Sequence, residues 1–87
     1  MIKYLFIVKN PSFDSTVHRA GFVTEEFNAA LVAVPTVDEA CQVAAEYAAQ
    51  GLDMIDLCSG FNHDSASKVF EAVGGNIAVS YAGLKIS

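Results

Sequence analysis

Ile2 to Lys9 is a compact β-branched and aromatic run closed by Asn10-Pro11-Ser12, a pattern that predicts a strand. Phe27 to Val34 predicts a second strand, and its apolar end suits burial on both faces, as in a parallel sheet. Pro35 ends that strand. Thr36-Val37-Asp38-Glu39 then has the T-x-x-E form, in which Thr36 caps a helix and Glu39 reaches back to the capping amide. Val37, Ala40, Cys41, Ala44, Tyr47 and Ala48 recur at three- and four-residue steps, with Asp38, Glu39, Gln42, Glu46 and Gln50 on the opposite side. Gly51 supplies a left-handed stop. Asp53 to Cys58 predicts a third strand, and Ser59 to His63 the turn after it. Asp64 or Ser65 is placed to cap a second helix with an apolar stripe of Ala66, Val69, Phe70 and Val73. Gly74-Gly75 closes that helix, Asn76 to Ala82 predicts a fourth strand, and Gly83 to Ser87 remains as a tail. Ser12 to Glu26 has no steady period and reads as a long connection of the kind that often carries function.

The order strand, strand, helix, strand, helix, strand defines a single α/β domain over residues 1–87, with a four-stranded, largely parallel sheet. Two successive crossovers in one direction put both helices mainly on one face. The other face must then be covered by the long connection or by a partner subunit.

Composition strengthens the second option. The chain has 87 residues, 53% hydrophobic and only 17% charged, with ten acids against five bases for a net charge of −5. So few charges on so small a domain point to a homo-oligomer, with a dimer favoured, because association covers surface that one small core cannot. The acidic balance and the lack of a Lys/Arg cluster exclude nucleic acid as a partner. No apolar run approaches the length of a membrane span, and Lys9-Asn10-Pro11 interrupts the first run too early for a signal peptide. Cys41 and Cys58 form no CxxC pair, which suits a reducing cytoplasm.

Ligands of open α/β sheets collect beyond the carboxyl ends of the strands. That rule selects Pro35 and Thr36, the segment Cys58 to His63, and Ser80 to Gly83. Alternation along the third strand puts Asp56 and Cys58 on the face away from the helices, with Ile55 and Leu57 on the helix side. Asp56 is either a proton-transferring carboxylate or a solvated or paired charge. Cys58 is either a nucleophile with His18 or His63 as base, or a small hydrophobe. Cys41 belongs to the helix stripe and the core. The turn Ser59-Gly60-Phe61-Asn62 offers backbone amides to an anion. His18-Arg19 pairs a proton carrier with a guanidinium that could clamp a carboxylate, or it anchors the loop. No spacing encodes a metal site, and no Walker or dinucleotide fingerprint names a cofactor.

As a set, His18-Arg19, Val34-Pro35-Thr36, Gly51, the segment Met54 to Phe61 and Gly74-Gly75-Asn76-Ile77 resemble a small bacterial family catalogued as a domain of unknown function, family 6506. The resemblance covers nearly the whole chain. In that family the third-strand segment tends to read Ile, an acid, Leu, Cys, Gly, Gly, Phe, so Asp56, Cys58, Gly60 and Phe61 match its pattern. Ser59 stands where glycine is usual, and Asn62-His63 where Gly-Pro is usual. The resemblance implies the fold and the choice of residues; no activity comes with it.

The leading expectation is therefore a small polar or anionic molecule bound at the carboxyl ends of the strands. Arg19, Ser59, Gly60, Phe61, Asn62 and Ser80 would hold it, with His18, Asp56 and Cys58 as candidate catalytic groups. The alternative is an interaction module without catalysis, whose open sheet face is a subunit interface.

Overall fold

The computed structural model describes residues 1–82 and 84–86; Gly83 and Ser87, which the sequence places at the ends of the tail, lie outside them. In chain order the elements are β1 (Ile2–Lys9), β2 (Arg19–Val23), β3 (Phe27–Val34), α1 (Val37–Ala48), β4 (Met54–Ser59), α2 (His63–Ala72), β5 (Ala78–Tyr81) and β6 (Leu84–Ile86). The sheet has the order β2-β3-β1-β4-β5-β6.

The four expected strands form the parallel centre, β3-β1-β4-β5. The sheet is nevertheless six-stranded and mixed, because an antiparallel strand is added at each edge. The expectation of four strands is corrected on both sides. β2 forms inside the stretch read as a connection, and β6 forms in the tail after Ala82, which takes a left-handed φ of 46°. Every residue of β2 is exposed, so no buried face stamps a period on its sequence.

β3 leads through α1 to β4 on the far side of β1, and β4 leads through α2 to β5. Both steps run the same way across the sheet, and α1 packs against α2 over one shared core. Leu5, Ile7, Val32, Val34, Ile55 and Leu57 point from the sheet into that core, with Ala40, Ala44, Ala66 and Val69 opposite them on the helices; all are about 1% exposed or less. Small residues on the helices let them lie close to the β-branched floor.

The helix ends are made differently from the sequence expectation. Thr36 Oγ1 does accept the Glu39 amide, at 3.2 Å, but Glu39 does not reach back; its Oε2 accepts the Ser15 hydroxyl at 3.0 Å and so ties the Asn10–His18 connection to α1. Asn62, not Asp64 or Ser65, caps α2: its Oδ1 accepts the Ser65 amide while Ser65 Oγ accepts the Asn62 amide, each at 2.9 Å. A serine in the third helical position serves here in place of the usual Glu or Gln. At the other end of α1 no basic residue stands in the last turn, and Lys3 from β1 supplies the charge, donating from Nζ to Gln50 O at 3.2 Å. A cation there offsets the negative end of the helix dipole.

Candidate functional site

Strand alternation gives the sheet two unlike faces. On the side away from the helices β1 presents Ile2, Tyr4, Phe6 and Val8, and β3 presents Phe27, Ala29, Leu31 and Ala33 in direct register with them. β2 adds Ala20 and Phe22 beside Leu31 and Ala29. Tyr4 lies 5.0 Å from Phe27 and 6.0 Å from Phe6, ring centre to ring centre. Ala29 and Ala33 are buried, but Phe22 is 64% exposed and Leu31 39%, and among the described residues no element packs across this face. A shallow, wholly apolar groove of about 550 Å³ runs between Phe6, Phe22, Phe27, Leu31 and Cys58.

Asp56 lies on this face, half-buried, between Phe6 of β1 and Ser80 of β5, as the alternation of β4 requires. Among the described side chains it is the one charge there. Ser80 Oγ is buried beside it with no hydrogen-bond partner among the described residues. Cys58 sits at a bulge, where Leu57 pairs with Ile7 but Ser59, not Cys58, pairs with Val8. Its thiol donates to Asp56 O at 3.7 Å, and its pKa is raised, first by burial and then by the Asp56 charge. That direction lowers the thiolate fraction and works against a nucleophile. Burial likewise raises the Cys41 thiol, which packs against the core as expected.

The His18-Arg19 pair does not join this group. Arg19 opens β2 opposite Val32, a core-facing residue, so it belongs to the helix side of the sheet, and β3 and β1 separate its strand from β4. Its Nε donates to Ser15 O at 2.8 Å. His18 Nδ1 accepts the Asp14 amide at 2.9 Å, and its ring meets Phe13 edge-on at 5.9 Å. Asp14 in turn accepts the Thr16 hydroxyl and amide at 2.7 and 2.9 Å, and these bonds hold its carboxyl below the usual value. The pair anchors the connection that carries β2.

The β4–α2 turn also has local tasks. Gly60 has φ 86°, and a Cβ there would lie 2.4 Å from Lys9 O, so glycine is required by the close approach of the turn to the end of β1. Phe61 is half-buried against the core, the Asn62 side chain is engaged in the cap, and Ser59 is exposed.

One arrangement at the carboxyl ends was not expected. His63 is the first residue of α2, and its Nδ1 lies 2.7 Å from the Tyr81 hydroxyl at the end of β5; Ser67 Oγ lies 3.5 Å from Nε2 on the other side of the ring. The cap at Asn62 creates this, because it fixes where the helix starts and so aims His63 at β5. The i, i+4 spacing of His63 and Ser67 was the available signal.

Among the described residues no cluster of three His, Cys, Asp or Glu side chains could hold a metal. Among the described residues no helix is long and apolar enough to cross a membrane.

Fold and site together define a small α/β protein with helices on one face of a mixed sheet and an apolar second face that no described element covers. The chain belongs to a family of unknown function, DUF6506, whose profile matches residues 2–86. No curated protein and no solved structure matches it.

Proposed function

We propose that this protein is an association module: two copies pack their open sheet faces together across a two-fold axis. The observation that carries this reading is the concentration of Phe6, Phe22, Phe27 and Leu31 on a face whose described side chains include a single charge, in a protein whose other acids lie elsewhere. Six strands at about 4.8 Å spacing and about 20 Å of length lay out roughly 600 Å² of face in projection. With side-chain relief added, that is of the same order as the ~800 Å² each partner buries in a standard interface. A two-fold contact brings the same patch together from both copies, so the axis falls near Phe6 and Leu31 and keeps the two Asp56 carboxylates apart. In a reducing cytoplasm Cys41 and Cys58 remain thiols, and no disulfide contributes.

Sedimentation equilibrium of the native protein and of Leu31→Arg tests this. The native chain should sediment at a multiple of 9.2 kDa, and the variant, which puts two like charges across the axis, should move towards the monomer. A native chain at 9.2 kDa throughout would refute the reading.

A small polar molecule bound at the carboxyl ends of the strands is the second reading. It is favoured by the buried Ser80 Oγ, which has no hydrogen-bond partner among the described residues, next to Asp56 on the open face. Native mass spectrometry of gently purified protein tests it, through an added mass that Asp56→Asn loses.

A further inference from the structure

The two edges of the sheet are protected very differently. β6 is three residues long with a lysine at its centre, whereas β2, Arg19-Ala20-Gly21-Phe22-Val23, contains no Pro, Lys or acid and is exposed at every position. Short strands, lysines and prolines are the usual means of keeping a sheet edge from pairing. β2 has one protecting charge, Arg19 at its first position, and no such group from Ala20 to Val23.

Its register shows which backbone groups are free. His18 O accepts the Ala33 amide at 2.9 Å, and the Thr24 amide donates to Phe27 O at 2.7 Å, on either side of the strand. Both pairs lie on the same antiparallel ladder as Ala20–Leu31 and Phe22–Ala29, so the even-numbered residues bond to β3. The odd-numbered ones turn outward. The Arg19 amide is engaged by Val17 O at 3.1 Å, while the Arg19 carbonyl and the amides and carbonyls of Gly21 and Val23 face the open edge.

We propose that this edge pairs with β2 of a second copy, antiparallel and centred on Gly21. The strand is self-complementary in that register. Gly21 meets Gly21, Phe22 of each copy lies across from Ala20 of the other, large against small, and Arg19 lies across from Val23, so no like charges oppose each other. The pairing keeps both open faces on one side of the enlarged sheet and brings the two apolar grooves side by side. It stands on the β2 ladder and not on the face-to-face reading, since face contact alone leaves the Gly21 and Val23 amides unpaired. Where both contacts form, two pairs stack into a tetramer.

Amide hydrogen exchange followed by NMR at millimolar protein, on the native chain and on Leu31→Arg, tests the edge separately from the face. The expected result is slow exchange at Gly21 and Val23 as well as at Ala20 and Phe22 in both proteins, with the protection of Gly21 and Val23 lost on dilution. Free exchange at Gly21 and Val23 while Ala20 and Phe22 stay protected overturns the proposal, and so does free exchange at all four. The register is tested by Val23→Glu and Val23→Lys, at a residue 65% exposed in the monomer. Glutamate faces Arg19 of the other copy twice and lysine repels it twice, so the glutamate variant should associate about tenfold more tightly than the lysine variant. Equal association of the two variants would reject the register.

Discussion

The two faces of one sheet share strands, backbone and twist, yet they make opposite use of their apolar residues. On the helix side, Leu5, Ile7, Ile55 and Leu57 are sealed under Ala40, Ala44, Ala66 and Val69. On the other side Phe6, Phe22, Phe27 and Leu31 are as apolar, and no described element lies over them. The first face folds the monomer. The second has no intramolecular task large enough to explain its composition, and this contrast is the basis for reading it as a surface for association.

Substitutions on the two faces should therefore fail in different ways. Ile55→Ala, which empties fully buried volume, should lower the unfolding free energy by about 2–5 kcal/mol in thermal or urea denaturation. Leu31→Arg, on the open side, should leave the fold of the monomer intact but weaken self-association roughly a hundredfold, read by sedimentation. If Leu31→Arg unfolds the chain instead, the open face belongs to the core and the contrast collapses. At the junction of the faces, Gly60→Ala forces a Cβ against Lys9 O at a left-handed φ and should cost about 2–3 kcal/mol, without changing association beyond what that loss explains. Asn62→Ala removes the α2 cap and should cost about 1 kcal/mol, with slower loss of the helix itself than of the His63–Tyr81 contact in NMR chemical shifts.

The smallest effect is on Cys58. Burial and the Asp56 charge both disfavour its thiolate, so alkylation should lag behind a free model thiol and catch up only as pH rises above the ordinary thiol range. Asp56→Asn removes the second cause and leaves the first, so it should restore part of the rate. A Cys58 faster than the model thiol near neutral pH would revive a nucleophilic role.

How much of this was legible in the sequence depended on whether a residue's environment was set locally. β1 and β3 were readable with their ends, because long apolar runs are bounded by Asn10-Pro11 and by Pro35. The sides of Asp56 and Cys58 followed from alternation alone. β2 was hidden, since a strand exposed on both sides carries no buried stripe and takes its conformation from pairing with β3. The site suffered from the same gap. Without β2 the His18-Arg19 pair could be imagined folding over the open face, whereas its register assigns Arg19 to the opposite one. The His63–Tyr81 contact depends on which residue caps α2, and Asn62, Asp64 and Ser65 are all good caps in sequence.

The claim that the open face is a subunit interface is tested most directly by sedimentation equilibrium of the native chain beside Leu31→Arg over a micromolar concentration range. A native mass at a multiple of 9.2 kDa that falls in the variant, with circular dichroism unchanged, is the expected result. A native chain that stays at 9.2 kDa, or a variant that associates as tightly as the native chain, would contradict it.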